Sequence, residues 1–232
     1  VWVVRGHENH PNVFAASHPC LTSTSTTLTS TTDACFIASH TEPFEVLVAN
    51  DDGYAAAGID AVVEGLWALP NSLIHVVAPL ANQSGGGGNI TNPPFVISGS
   101  AVTTLSGRAA TAVSSNDPAK LPSGSAWPAD AIIFALSTSS LSLSPELVVS
   151  GINEGQNMGS VTPASGTIGA ARKARSNSVP AIASSQGAFG PPPDYPTGTA
   201  ATLALVEEWR LGRTVNTTKS VLNINIPTCA VG

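Results

Sequence analysis

Apolar residues along this chain fall into short unbroken runs that alternate with stretches of helical spacing. Val46 to Ala49 is the first run, with the composition of a strand buried on both faces. From Gly58 to Leu69 the apolar positions Ile59, Val62, Val63, Leu66 and Leu69 form the stripe of an amphipathic helix. Pro70-Asn71-Ser72 stops that helix, and Leu73 to Ala78 follows as a second buried strand closed by Pro79. Strand, helix and strand at this spacing predict a right-handed βαβ unit, hence a parallel sheet with helices on its faces. Phe95 to Val113 predicts short antiparallel strands joined by Gly/Ser turns, a hairpin excursion from the main sheet. Pro128 to Leu136 reads as a helix with proline in its first turn and Asp130 near its positive end. Glu146 to Ser150 is the third strong strand, Val179 to Ser184 the fourth, and Gly198 to Leu211 a further helix. Val221 to Ile226 alternates apolar and polar residues, which predicts a half-exposed strand.

Residues 1–43 do not share this pattern. They carry His7, His10, His18 and His40, and from Thr22 to Thr32 every position except Leu28 is Ser or Thr. Such a run has little apolar surface to bury and is expected to form a peripheral, low-complexity segment. No basic stretch followed by an apolar one marks a signal peptide. The expected organisation is a peripheral segment over 1–43 and one α/β domain over 44–232.

Composition narrows the function classes. The 232 residues are 42% hydrophobic and only 10% charged, with a net charge of −6. That is a globular composition, and it offers no basic stripe for a nucleic-acid polymer and no cationic face for a membrane. No window reaches the roughly 18–20 apolar residues of a membrane span, so a soluble protein is expected. Cys20, Cys35 and Cys229 lack metal-site spacing; Cys20 and Cys35 would be able to pair in an exported protein, and two free thiols are the other reading.

The chemistry sits where strands end. Val46–Ala49 runs directly into Asn50-Asp51-Asp52-Gly53. Two carboxylates converging on one point repel unless a cation lies between them, and a hard divalent ion with oxygen ligands is the usual solution. An ordinary Asn/Asp/Gly turn with solvated carboxylates is the competing reading. The second strand leads into Asn82-Gln-Ser-Gly-Gly-Gly-Gly-Asn-Ile-Thr91, whose glycines let backbone N–H groups approach an oxyanion and whose Ser84 offers an oxygen; a flexible linker is the alternative. The loop is neither a Walker A sequence nor a dinucleotide fingerprint. The third strand leads into Gly151-Ile-Asn153, whose amide gives a neutral oxygen without adding repulsion. Ser165-Gly166-Thr167 opens a helix, either as an anion site or as a plain N-cap. In an open α/β sheet these strand ends share the edge at which ligands bind. Oxygen donors beside an oxyanion pocket point to metal-assisted phosphoryl chemistry.

These residues also resemble a known family. Asn50-Asp-Asp-Gly53, Val77-Ala-Pro79 with Asn82-Gln-Ser-Gly85, Pro128-Ala-Asp130, Leu147 to Asn153 with Gly155, Asn157 and Gly159, Ser165 to Arg172, and Asn223-Ile-Asn-Ile-Pro227 follow in order the pattern of the SurE family of metal-dependent nucleotidases. The resemblance implies a Rossmann-like three-layer α/β/α core with a mostly parallel sheet. It implies hydrolysis of nucleoside 5′-monophosphates, and of 3′-monophosphates, by a phosphomonoesterase with one divalent metal ion, Mg²⁺ or Mn²⁺. Carried over residue by residue, the metal ligands are Asp51, Asp52, Ser84 and Asn153. Asn50, Gly85, Ser165 and Thr167 shape the phosphate pocket, and Asp51 and Asp52 are the catalytic carboxylates. The partners implied are a small nucleotide substrate and, with the C-terminal extension of family members, a second or further copies in a dimer or tetramer. The family compartment is cytoplasmic, with a secreted form as the alternative. The chain departs from the pattern at Trp127, where the family has Thr, and at Ala164, where it has Tyr. It stops at Gly232, which reads as a C-terminal truncation. A nucleotide- or metal-binding relative with impaired catalysis is the competing reading. An aspartyl-nucleophile phosphatase is disfavoured because Asp-Asp stands where that class needs Asp-x-Asp.

Overall fold

The computed structural model describes residues 2–5, 42–120, 123–188, 192–212 and 220–228. The elements are β1 (Trp2–Arg5), β2 (Phe44–Ala49), α1 (Ala57–Trp67), β3 (Ser72–Pro79), β4 (Ile97–Thr103), β5 (Ala109–Ser115), α2 (Pro128–Leu136), β6 (Leu147–Glu154), α3 (Gly166–Ser176), β7 (Ala181–Gln186), α4 (Tyr195–Arg210) and β8 (Leu222–Ile226). They form one eight-stranded sheet in the order β1-β8-β7-β6-β2-β3-β5-β4. From β8 across to β5 neighbouring strands run parallel, while β1 and β4 close the two edges in antiparallel pairing.

The sheet is covered on both faces, as the apolar runs predict. Val46 and Val48 of β2 face a core shared with Ile59, Val62 and Leu66 of α1 and Val206 of α4. The alternate residues Leu47 and Ala49 face a second core with Ile132 of α2 and Ile168 of α3. The result is the expected three-layer α/β/α fold. Leu47 is fully buried, so truncation to alanine there would cost about 2–5 kcal/mol.

Local chemistry sets the helix ends. Asp130 accepts the Trp127 N–H at 2.9 Å, closing the first turn of α2 as a helix-end residue should. Ser165 is the N-cap of α3, its hydroxyl oxygen accepting the Ile168 N–H at 3.2 Å. Gly58 opens α1 hard against β6: a Cβ there would fall 1.9 Å from the Ile152 carbonyl oxygen.

The antiparallel hairpin expected over 95–113 is present as β4 and β5, and through the parallel pairing of β5 with β3 it extends the sheet at that edge. Three expectations from the sequence are corrected. The third strand does not stop at Ser150; it continues to Glu154 through a register shift against β7 between Ser150 and Asn153. β8 is largely buried rather than half-exposed, since the loop after β6 covers its polar face: Asn225 accepts the Asn157 N–H at 2.7 Å and the Asn223 amide donates to the Asn157 carbonyl at 2.9 Å. The pairing of β1 with the outer edge of β8 joins Trp2–Arg5 to the sheet, whereas composition sets the whole 1–43 segment apart. Residues 6–41, with all four histidines of that segment, Cys20 and Cys35, lie outside the described residues, as does Cys229.

Candidate active site

The carboxyl ends of β2, β3 and β6 lie side by side, because these strands are parallel neighbours. Each ends in one of the loops singled out above. After β2 the chain turns at once, and Asn50 makes the turn. Its amide nitrogen donates to the Gly53 carbonyl at 3.0 Å and its amide oxygen accepts the Gly53 N–H at 3.1 Å. Gly53 has φ +100°, a conformation that favours glycine. Asn50 is thus fully buried and occupied as a brace; it is not on the wall of the cleft.

The brace sends the two aspartates to different partners. Asp51 is 2% exposed. It accepts the Thr167 hydroxyl at 2.6 Å, and the Gly166 and Thr167 N–H groups at the start of α3 favour its charged form. Only glycine fits at 166, where a Cβ would come within 2.9 Å of the Asp51 carboxylate. Burial raises the Asp51 carboxyl above its ordinary range despite these donors. Asp52 accepts the Asn82 side-chain amide at 3.1 Å and the Glu154 N–H at 3.1 Å. Burial, and then the neighbouring Asp51 charge, push it up to about 6.

The glycine-rich loop is fastened at several points. The Gln83 N–H donates to the Asp51 carbonyl at 2.6 Å, and the Ser84 N–H to the Asn82 side chain at 2.8 Å. Gly87 donates to the Ala164 carbonyl at 2.9 Å, and Gly169 of α3 packs so closely that a Cβ would fall 1.8 Å from the Gly87 carbonyl oxygen. Trp127, which stands where the resembled pattern has Thr, packs behind the loop; a Cβ on Gly86 would lie 2.6 Å from its indole. On the β6 side, the Asn153 amide nitrogen donates to the Gly155 carbonyl at 2.6 Å, leaving its oxygen unbonded among the described residues.

Together these loops enclose a cleft of about 280 Å³, lined by Asp51, Ser84, Gly85, Asn153 and Ser165 among others. Those five belong to the set expected from sequence. Asp52 adjoins the cleft beneath Glu154, while Asn50 and Thr167 stand behind Asp51. Arg172 is exposed on the helix, away from the cleft. No Lys, Arg or His among the described residues lines the cleft; the positive end of α3 is the favourable charge they present to it. The described residues hold no group of three or more His, Cys, Asp or Glu positioned for a metal; the oxygen donors here are two carboxylates, a hydroxyl and an amide.

Sequence reasoning passed over two supporting groups. Asn157 is buried and donates from its side chain to Ser185 at 2.9 Å and toward Thr167 at 3.4 Å, tying the residue that holds Asp51 to β7. Its place in the Gly155-x-Asn157 spacing was the available signal. Lys120 is also buried; its amine donates to the Gln83 side chain at 2.6 Å and lies over the Trp127 ring. Burial lowers that amine to about 8. Nothing in the turn-rich 116–127 stretch advertises it.

A family model described as Survival protein SurE matches residues 46–232. The 5′-nucleotidase SurE of Alkalilimnicola ehrlichii is 37% identical over 183 residues, covering 78% of this chain and 62% of the relative. The 5′-nucleotidase SurE of Sulfurimonas denitrificans is 33% identical over 187 residues, covering 79% of this chain and 65% of that protein. The chain therefore spans just under two thirds of the length of these curated relatives. Among solved structures, the SurE protein from Aquifex aeolicus superposes with a TM-score of 0.60 at 28% identity, over 79% of this chain and 66% of that one.

Proposed function

Because the chain belongs to the SurE family, we propose that it is a metal-dependent phosphomonoesterase that hydrolyses nucleoside 5′-monophosphates, and 3′-monophosphates, to nucleoside and phosphate. The observation that carries this reading is the cleft itself: oxygen donors from three strand ends, no basic side chain among the described residues, and a helix N-terminus opposite. Both aspartates are pushed toward protonation, by burial and, for Asp52, also by the charge of Asp51. A cation is what would relieve that strain.

The donor set fits a hard divalent ion, Mg²⁺ or Mn²⁺, held by Asp51, Asp52, Ser84 and Asn153. Such an ion supplies positive charge to the phosphoryl group and lowers the pKa of water. The remaining work falls to the protein's own groups. Gly85, with φ +81°, brings backbone close to a phosphoryl oxygen, and Ser165 at the start of α3 offers a hydroxyl and a local positive dipole. Asp51, clamped by Thr167 and α3, orients the attacking water in line with the leaving oxygen. Asp52 accepts the water's proton. The water oxygen bonds to phosphorus, the ester P–O bond breaks, and the proton passes to the departing nucleoside oxygen.

The test is phosphate release from a panel of nucleoside 5′- and 3′-monophosphates with Mn²⁺ or Mg²⁺, repeated in EDTA. Chelator-sensitive hydrolysis is expected. Absence of turnover with either metal, from protein shown to be folded, would overturn the reading.

A further inference from the structure

The loop after β6 has two sides. Gly155 and, further on, Val161 and Ala164 face the carboxylate cleft. Gln156 and Met158 line a second pocket of about 220 Å³, whose opposite wall is Gly187 and Ile226–Thr228. Gln156 lines both cavities, so this one residue forms a wall common to the two.

The second pocket is apolar because its polar groups are already used. The Thr228 hydroxyl accepts the Gln186 side-chain amide at 2.9 Å and donates to the Gly187 carbonyl. The Asn225 side-chain oxygen accepts the Asn157 N–H at 2.7 Å, and the Asn157 carbonyl takes the Asn223 amide at 2.9 Å. What remains for a ligand is the Met158 thioether, 48% exposed at the lip, the Pro227 ring, and the Gln156 amide, which makes no hydrogen bond among the described residues. Thioethers and proline rings pack well on the faces of aromatic rings, and a single amide can both donate to and accept from a ring edge. Asn157 couples the wall of this pocket to Thr167, and through it to Asp51, so the two cavities are held at a fixed separation.

We propose that this pocket is the leaving-group subsite and takes the planar base of the nucleotide, with its faces against Met158 and Pro227 and its edge toward Gln156. The inference rests on the phosphomonoesterase reading of the neighbouring cleft. The pocket is sized for one heterocycle and not for an extended chain; together with the cleft it lies within the range of small-molecule sites, roughly 300–1,000 Å³. With one flexible amide as the only unbonded polar side chain among the described residues of its wall, discrimination among bases stays within roughly tenfold, about the worth of one hydrogen bond.

The test has two arms on the 232-residue chain. In EDTA, binding of free adenosine and guanosine is measured by equilibrium dialysis for wild type, Met158→Asp and Met158→Leu. With Mn²⁺, kcat/KM is compared for AMP and for glycerol 2-phosphate, which has no ring. Wild type is expected to bind both nucleosides without metal. Met158→Asp, which places a charge against the ring, is expected to weaken binding by about tenfold or more and to lower the AMP-to-glycerol-phosphate ratio by a similar factor. Met158→Leu should keep both. Failure of wild type to bind a nucleoside would overturn the assignment, as would a Met158→Asp protein, with an unchanged unfolding midpoint, that keeps both the affinity and the ratio. Release of phosphate from neither ester, with nucleoside binding intact and sensitive to Met158, would sink the phosphomonoesterase reading while supporting the pocket.

Discussion

Replacing Asp52 by asparagine is expected to stabilise the metal-free protein and to destabilise the metal-loaded one relative to wild type. The Asp52 carboxyl lies at about 6 against an ordinary 3.8, so folding favours its protonated form. The stability deficit is therefore absent below the unfolded value, grows as pH rises through about 6, and is constant above. Linkage gives roughly 3 kcal/mol at pH 7.5 and roughly 1 kcal/mol at pH 4.5. Asp52 is only partly buried, and solvent screening trims the larger figure to about 2 kcal/mol. Asparagine keeps one acceptor for the Asn82 amide and Glu154 N–H but not both, which costs about 1 kcal/mol. The net gain at pH 7.5 in EDTA is thus about 1 kcal/mol, or roughly 2–4 °C in Tm for a chain of this size, and it should shrink toward zero by pH 4.5. Saturating Mg²⁺ or Mn²⁺ reverses the sign, because wild type gains about 2.7 kcal/mol at a hundredfold excess over Kd and the variant loses most of that. Urea unfolding at both pH values, with metal and with EDTA, reads all four numbers. A variant less stable than wild type in EDTA at pH 7.5, or a difference that ignores both pH and metal, would refute the reasoning.

Other perturbations test the remaining parts. Asp51→Asn should lower phosphate release by at least about a hundredfold with little loss of folding stability; near-normal turnover would remove Asp51 from the site. Thr167→Val deletes the hydroxyl that holds Asp51 and should reduce kcat by about 10–100-fold, with Thr167→Ser restoring it. Ser165→Ala should cost about 1 kcal/mol in urea unfolding through loss of the α3 cap; Ser165→Asp should restore stability but not turnover, since it caps the helix while adding negative charge to the cleft. Gly169→Ala pushes a methyl group into the Gly87 carbonyl and should cost about 1–3 kcal/mol together with a raised KM, because the loop it displaces carries Ser84 and Gly85. Unchanged unfolding for that variant would mean the helix and loop are not packed as described.

What was legible in the sequence was whatever local chemistry determines. The apolar run Val46–Ala49 gave a doubly buried strand, and Asn50-Asp-Asp-Gly53 gave a turn carrying charge to a strand end. Proline and Asp130 marked the start of α2, and Ser165 that of α3. Relations across long stretches of chain were not legible. No periodicity links Thr167 to Asp51, or tells that β5 docks beside β3 rather than forming a separate hairpin. The resemblance puts Asn50 among the residues that shape the phosphate pocket; the turn uses its amide internally, on Gly53, a competition that residue order does not reveal. β6 runs on to Glu154 past Gly151, with φ +137°, where glycine punctuation suggests an ending. The burial of β8 came from the loop after β6, whose Asn157 bonds Asn223 and Asn225 from far back in the chain, and its edge partner β1 from a segment whose composition argued against structure.

Because every loop that shapes the cleft leaves the carboxyl ends of β2, β3 and β6, the opposite rim of the sheet carries none of the chemistry. There the connection between α2 and β6 runs through Thr138–Ser142, exposed throughout. A tag, a fluorescent reporter or new chain termini introduced at that connection would sit a full strand length from the carboxylates. The protein can therefore be rewired from behind, and a circularly permuted version opened there should keep the same cleft.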